Sequence, residues 1–306
     1  MADSYIKTHV RVDHHGSIPI NLRSSTPDWF NHITTTTTTP NHFQHKTIFY
    51  IKTGKYPNKM PVPRPSALVL LYPGFNTLDI NGPSEVFYNT GITTTLTAED
   101  DLTTSQEKIT IKRNIPLAEA HRRLDEFDLL VVPGSRSLGT GTHNPLILDI
   151  LSAFSGLPRK ASSFSSPSSS PSSSPSLSPS RSSERSSERS ILTGANVSHH
   201  LAEAGLLDGL SATAHRLALP RLRSAVEGNQ ERNCDASGTT VLPRLGSSER
   251  LLYVDGGVTA EGVRVLTTTG ASGMLDAALY LVMRVLGKAA AEEASVFMGH
   301  PWQVEV

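Results

Sequence analysis

Residues 190–215 read SILTGANVSHHLAEAGLLDGLSATAH. Ser190–Thr193 is a short apolar strand and Gly194 opens a sharp turn. Val197, Leu201, Ala204 and Leu207 recur at helical spacing, so the next stretch is an apolar helix. Gly209 is placed to take the left-handed conformation past that helix's end. Ser211–His215 then starts a second strand. A buried strand, a turn and a helix form the unit at which open α/β sheets place ligands, at the carboxyl ends of their strands.

Working outward, Ala67–Tyr72 (ALVLLY) and Asp128–Gly134 (DLLVVPG) are apolar runs of strand length. Such continuous runs suit parallel strands covered on both faces. Residues 93–98 and 108–113 alternate like strands, Leu117–Leu124 and Pro145–Phe154 read as helices, and Val263–Thr269 is the last apolar strand. A helix follows it to Leu286, and Ala289–Met298 forms a terminal one. Pro220–Val226 predicts a short helix, and residues 229–248, with Cys234, a polar loop. Pro83 fits the first turn of a helix, where its missing N–H costs nothing. That placement puts Glu85 in the first turn, its carboxyl directed back toward the strand end.

Two segments lack the means to fold. Residues 1–64 hold a threonine run, Thr34–Thr39, scattered histidines and no sustained apolar period, so a disordered tail or a start at Met60 is expected. The insert at 158–190, serine-rich with spaced prolines, is also expected to be disordered, and it ends in an RSSE-RSSE-RS repeat. Removing both leaves one ordinary α/β domain.

Four segments together resemble the ThiJ/PfpI superfamily, which is similar in fold to the class I glutamine amidotransferases. They are YPGFNTLDINGPSEVF at 72–87, LAEAGLLDG with ATAH at 201–215, LLYVDGG at 251–257 and GASGMLD at 270–276. The resemblance is closest to the isonitrile-hydratase-like branch and covers roughly 66–157 and 190–303. It implies a flavodoxin-like parallel sheet sandwiched by helices with a small antiparallel hairpin, and a homodimer. Family members attack electrophilic carbon with a cysteine in the elbow. Here, counting back without a gap from Leu201 puts that position at Ala195. Aligning Thr193-Gly194-Ala195 to the family's T-G-A puts it at Leu192, with about one extra helical turn. The gapless count is simpler and favours Ala195. Neither residue carries a nucleophilic atom.

By the same resemblance, Glu85 is the family's buried proton-bearing acid, Asp79 the acid of the hydratase branch, and His215 a histidine near the nucleophile. Gly134, Ser135 and Asn196 would line an oxyanion-type backbone pocket. Ser135 replaces a glycine and would be strained at positive φ. Ser272 sits in a partial serine-hydrolase elbow but lacks the second glycine. His199 and His200 are neighbours, so on a regular helix they diverge by about 100° and should not share a metal, whereas His200 and Glu203 could. No metal or cofactor motif is present.

The formal charge is zero and the pI about 7.2, which argues against nucleic acid and membrane surfaces. The single cysteine excludes an intrachain disulfide. A cytoplasmic protein is the expectation. The functional expectation is a catalytically impaired ThiJ/PfpI domain that binds a small ligand or a partner. The alternative is a lyase, isonitrile-hydratase-like or glyoxalase-like, that uses Asp79 and Glu85 without a cysteine.

Overall fold

Three strand cores decide the architecture. Ala67–Leu70, Leu130–Val132 and Ile191–Leu192 are all wholly inaccessible. Strands apolar on both faces must be covered on both, and parallel pairing with helical crossovers does this. The computed structural model describes residues 6–9, 48–51, 64–135, 145–158, 188–235, 237–244 and 251–302. The chain divides into two units, 1–62 and 63–306. In the first, β1 (Ile6–His9) pairs antiparallel with β2 (Ile48–Ile51), so a strand pair lies in what the sequence reads as a structureless tail.

The second unit holds the sheet. Its elements run β3 (Ser66–Leu70), α1 (Thr77–Thr90), β4 (Thr93–Ala98), β5 (Leu102–Thr104), β6 (Thr110–Lys112), β7 (Ile115–Pro116), α2 (Leu117–Arg122), β8 (Leu129–Val132) and α3 (Pro145–Ser155). Then come β9 (Arg189–Thr193), α4 (Ser198–Glu203), β10 (Ser211–Thr213), α5 (Leu219–Arg232) and β11 (Thr240–Leu242). The chain continues with β12 (Tyr253–Val258), β13 (Val263–Thr268), α6 (Ala271–Leu286) and α7 (Lys288–Met298). The seven-stranded sheet has the order β12-β13-β9-β8-β3-β4-β7. Every neighbouring pair is parallel except the β12–β13 hairpin. Two small ladders lie beside it, β5–β6 antiparallel and β10–β11 parallel. The flavodoxin-like architecture with its antiparallel hairpin is therefore present. Among the described residues, no helix is long and apolar enough to cross a membrane.

Several boundaries differ from the sequence reading. The elbow helix ends at Glu203, because Gly205 (φ +74°) already adopts the left-handed conformation, and the Leu206 N–H returns to the Leu201 carbonyl at 2.9 Å. Gly209 (φ +70°) instead shapes the turn into β10. The helix after Pro220 is twice the expected reach and absorbs residues 229–232, and Thr240–Leu242 of the expected loop is a strand. Cys234 is exposed just past that helix.

The insert also starts and stops differently. Glu188 and Arg189, the last pair of its repeat, belong to the fold, while residues 159–187 lie outside the described residues. Arg189 is 4% exposed. Its guanidinium donates to the carbonyls of Phe127 and Asp125, both at 3.3 Å, and of Pro158. One side chain thus ties the two ends of the insert together. Glu188 binds Arg264 Nε at 2.9 Å, and Arg264 Nη1 binds Asp255 Oδ2 at 2.7 Å, which fixes the same stem to the hairpin. Arg189→Ala would leave buried carbonyls without a donor. The expected loss is about 2–3 kcal/mol in urea unfolding, with Arg189→Lys intermediate.

Candidate functional site

The site forms where three turns meet at the carboxyl ends of β3, β8 and β9. The first turn, Tyr72–Asn76, leads into α1. Asn76 is its N-cap, accepting from the N–H of Leu78 (2.9 Å) and of Asp79 (3.3 Å). The helix therefore starts at Thr77, well before Pro83, which lies in its interior. This changes which acid faces the sheet. Asp79, not Glu85, occupies the first turn and points back toward the strand ends. Glu85 lies on the exposed face, its carboxylate accepting from Asn89 Nδ2 at 3.1 Å. The expectation that Glu85 is the buried acid is corrected on this ground.

Asp79 is 2% exposed. Its Oδ2 accepts the Gly134 N–H at 2.7 Å, and its Oδ1 is buried with no hydrogen-bond partner among the described residues. Burial pushes its pKa up, the Gly134 N–H works against the rise, and nearby Glu107 adds to it; the balance is about 6. The dipole of α1 favours the anion but contributes typically about 1 kcal/mol, which desolvation outweighs. Glu107 itself is held down at about 2. Its burial opposes this, but the Thr77 hydroxyl (2.5 Å), Gln106 and the Thr77 N–H (3.1 Å) prevail.

The second turn is Pro133-Gly134-Ser135. Ser135 forms an antiparallel bridge with Phe75. It is not among the positive-φ residues, so the strain expected from losing a glycine does not arise. The Ser135 N–H donates to Asn196 Oδ1 at 2.8 Å, and Asn196 Nδ2 donates to Ser135 Oγ at 3.2 Å. Asn196 thus acts through its side chain, and it occupies the turn's donor where it was expected to add one. With Asp79 on Gly134, both N–H groups of this turn are taken by oxygens of the protein itself.

The third turn follows β9. A Cβ on Gly194 would lie 2.0 Å from Gly134 N and 2.4 Å from Asp79 Oδ2. Gly194 is therefore the residue that faces the acid, between the two positions suggested by alignment. The Leu192 side chain is wholly buried. Ala195 is half-buried, and its carbonyl accepts the His215 N–H at 2.7 Å. This bond brings His215 beside the elbow, but its Nδ1 accepts from its own Leu217 N–H at 3.3 Å. Tyr72 is a participant the sequence reading passed over: its hydroxyl donates to the Pro133 carbonyl at 2.5 Å, and burial with the nearby Asp79 raises its pKa. A tyrosine opening the YPGF segment was the available signal.

Two other candidates resolve differently. Asp276 pairs with His300 Nε2 at 2.7 Å, so an acid–histidine pair does follow Ser272 in chain order. Ser272 is nevertheless exposed, and no hydrogen bond joins it to that pair. The His199 and His200 rings, expected to diverge, lie with centroids 3.9 Å apart.

Two outcomes test this geometry. Gly194→Ala forces a methyl against backbone, and the expected cost in chemical denaturation is about 2–3 kcal/mol. Asp79 has a folded pKa above its unfolded one. Its contribution is complete below the unfolded value near 4 and is lost as pH rises through about 6. Asp79→Asn, which keeps an acceptor for Gly134, should match the wild type near pH 4 and exceed it by about 3 kcal/mol near pH 7.5, read from paired urea curves.

No protein-family model and no curated protein matches the chain in sequence. Solved structures do match in fold. DJ-1beta from Drosophila melanogaster superposes with a TM-score of 0.52 at 18% identity, covering 78% of this chain and 100% of that one. A ThiJ/PfpI family protein from Pseudomonas syringae gives 0.54 at 17% identity, over 83% and 84% of the two chains. A mutant of a DJ-1 superfamily protein from Salmonella typhimurium gives 0.51 at 18% identity, over 78% and 100%. With its sheet order, its hairpin and its three converging turns, this chain has the fold of the DJ-1/ThiJ/PfpI proteins.

Proposed function

We propose that this chain is a DJ-1/ThiJ/PfpI-fold protein that has given up covalent thiol catalysis and retains the pocket region for binding a small ligand or a partner. One observation carries the reading. The two N–H groups that would stabilise an oxyanion are bound to Asp79 and Asn196, and the residue facing Asp79 is Gly194, which has no side chain. A tetrahedral adduct needs both a nucleophile and free donors. The only cysteine, Cys234, is exposed in a different part of the fold. Below about pH 6 a protonated Asp79 presents Oδ1–H as a buried donor, and a ligand suited to it there offers a hydrogen-bond acceptor.

A second reading is favoured by Asp79 alone. A carboxyl with a pKa of about 6 is poised for general acid–base work near neutrality, as a cysteine-free hydratase would require. Glu85 drops out of that reading because it is exposed. Isonitrile, glyoxal and amide substrates distinguish the two. Binding without turnover is expected, and Asp79→Asn should leave the rates at background. Turnover abolished by Asp79→Asn would establish the hydratase instead. A fluorophosphonate probe should leave Ser272 unlabelled.

A further inference from the structure

We infer that His199, His200 and Glu203 form a binding site for one divalent ion of the zinc class. All three lie on α4, and the donor atoms they offer, one from each residue, lie within 4.8 Å of one another. Neighbouring residues on a regular helix point about 100° apart. Here the two imidazoles have turned toward each other, to a centroid separation of 3.9 Å and an interplanar angle of 39°. Glu203 closes the triangle, with Oε2 at 3.0 Å from His200 Nδ1.

The dimensions suit a tetrahedral ion. Zinc bonds of about 2.0–2.2 Å place adjacent ligand atoms about 3.4 Å apart. The His200–Glu203 edge already lies within about 0.4 Å of that spacing. The other edges, none longer than 4.8 Å, must shorten by at most about 1.4 Å, which rotation of one imidazole about its side-chain bonds supplies. Two imidazoles and a carboxylate are borderline and hard donors, a set that zinc accepts with its fourth position left open.

The surroundings supply dryness on one side and access on the other. His199 and His200 are 5% and 4% exposed. Glu203 is the more accessible ligand, and it lines a groove of about 300 Å³ along α5 together with Arg221, Ser224, Gly228 and Arg232. The open coordination position would face this groove. Two guanidinium groups there oppose a cation, but through solvent, where such repulsion is screened. They also favour an anion as the fourth ligand. The site does not depend on the Asp79 reading and involves none of its residues.

Cobalt titration of the full chain tests the proposal, with visible absorption reporting four-coordinate geometry. Other histidines of the chain, including His14, His15, His42 and His45, will bind metal weakly, so the comparison with variants decides. The wild type should take up one more tight equivalent than His200→Asn or Glu203→Gln and show a four-coordinate spectrum that zinc displaces. Glu203→Gln should weaken that equivalent at least about tenfold, and His200→Asn should abolish it. Glu203 is partly exposed, so its variant should keep the native circular dichroism and remain informative if the buried histidine variant does not fold. Zinc should raise the melting temperature of the wild type and not of Glu203→Gln. An identical spectrum and stoichiometry in all three chains, or no four-coordinate spectrum at excess cobalt, would overturn the assignment.

Discussion

The hydrogen bond from the Gly134 N–H to Asp79 Oδ2 is the contact on which the rest of the site depends. It joins the end of β8 to the first turn of α1, and only bare glycine at 134 and 194 lets the two strand ends close around it. A neighbouring backbone bond, from the Asn76 N–H to the Gly134 carbonyl at 2.7 Å, holds the same turns in register. The price is a carboxyl taken out of water with one oxygen left without a partner. Burial of a polar atom without a partner costs on the order of 1–3 kcal/mol. A neutral amide would carry the same unpartnered atom but no charge to desolvate, so the acid itself is the feature that packing does not explain.

How much of this the sequence disclosed depends on what each feature rests on. The parallel core was legible because Ala67–Leu71 and Leu129–Val132 are apolar without interruption, and burial on both faces leaves little alternative. The identity of the buried acid was not. Pro83 suggested a helix start, but proline's preference for the first turn is weaker than a side-chain cap, and Asn76 set the start earlier. A shift of less than two turns exchanged Asp79 for Glu85. The convergence of His199 and His200 was hidden for a similar reason: helical spacing describes where Cβ atoms point, whereas rotation about two side-chain torsions swings each imidazole away from that direction. Gly194 was invisible as the facing residue because only the close approach of Gly134 reveals it, and that approach comes from residues far away in sequence.

The insert illustrates a further limit. Composition alone placed its end at Ser190, yet Glu188 and Arg189 of the repeat already belong to the fold, Arg189 opening the interior strand β9 and Glu188 pairing with Arg264. A repeated motif acquires meaning from its position. Arg189 joins the chain just after α3 to the start of β9 through the Pro158 carbonyl, and the entropic cost of closing a loop between two such ends grows only as the logarithm of its length.

On the proposed reading, a pocket that lacks a nucleophile faces a problem that an active one does not. Backbone donors aimed at an absent oxyanion would be buried without partners, and proteins rarely tolerate that. Asp79 and Asn196 solve it from within, each bringing one oxygen to one N–H. The solution constrains any occupant. A ligand can enter the turn only by supplying acceptors at least as good as a carboxylate and an amide, or by leaving those bonds intact and meeting Asp79 Oδ1 alone. The second route keeps both backbone bonds and uses a buried oxygen that has no hydrogen-bond partner among the described residues. On the proposed reading, any acceptor on the ligand requires Asp79 to be protonated, and an anionic one adds its own desolvation cost to that requirement, so neutral acceptors are preferred.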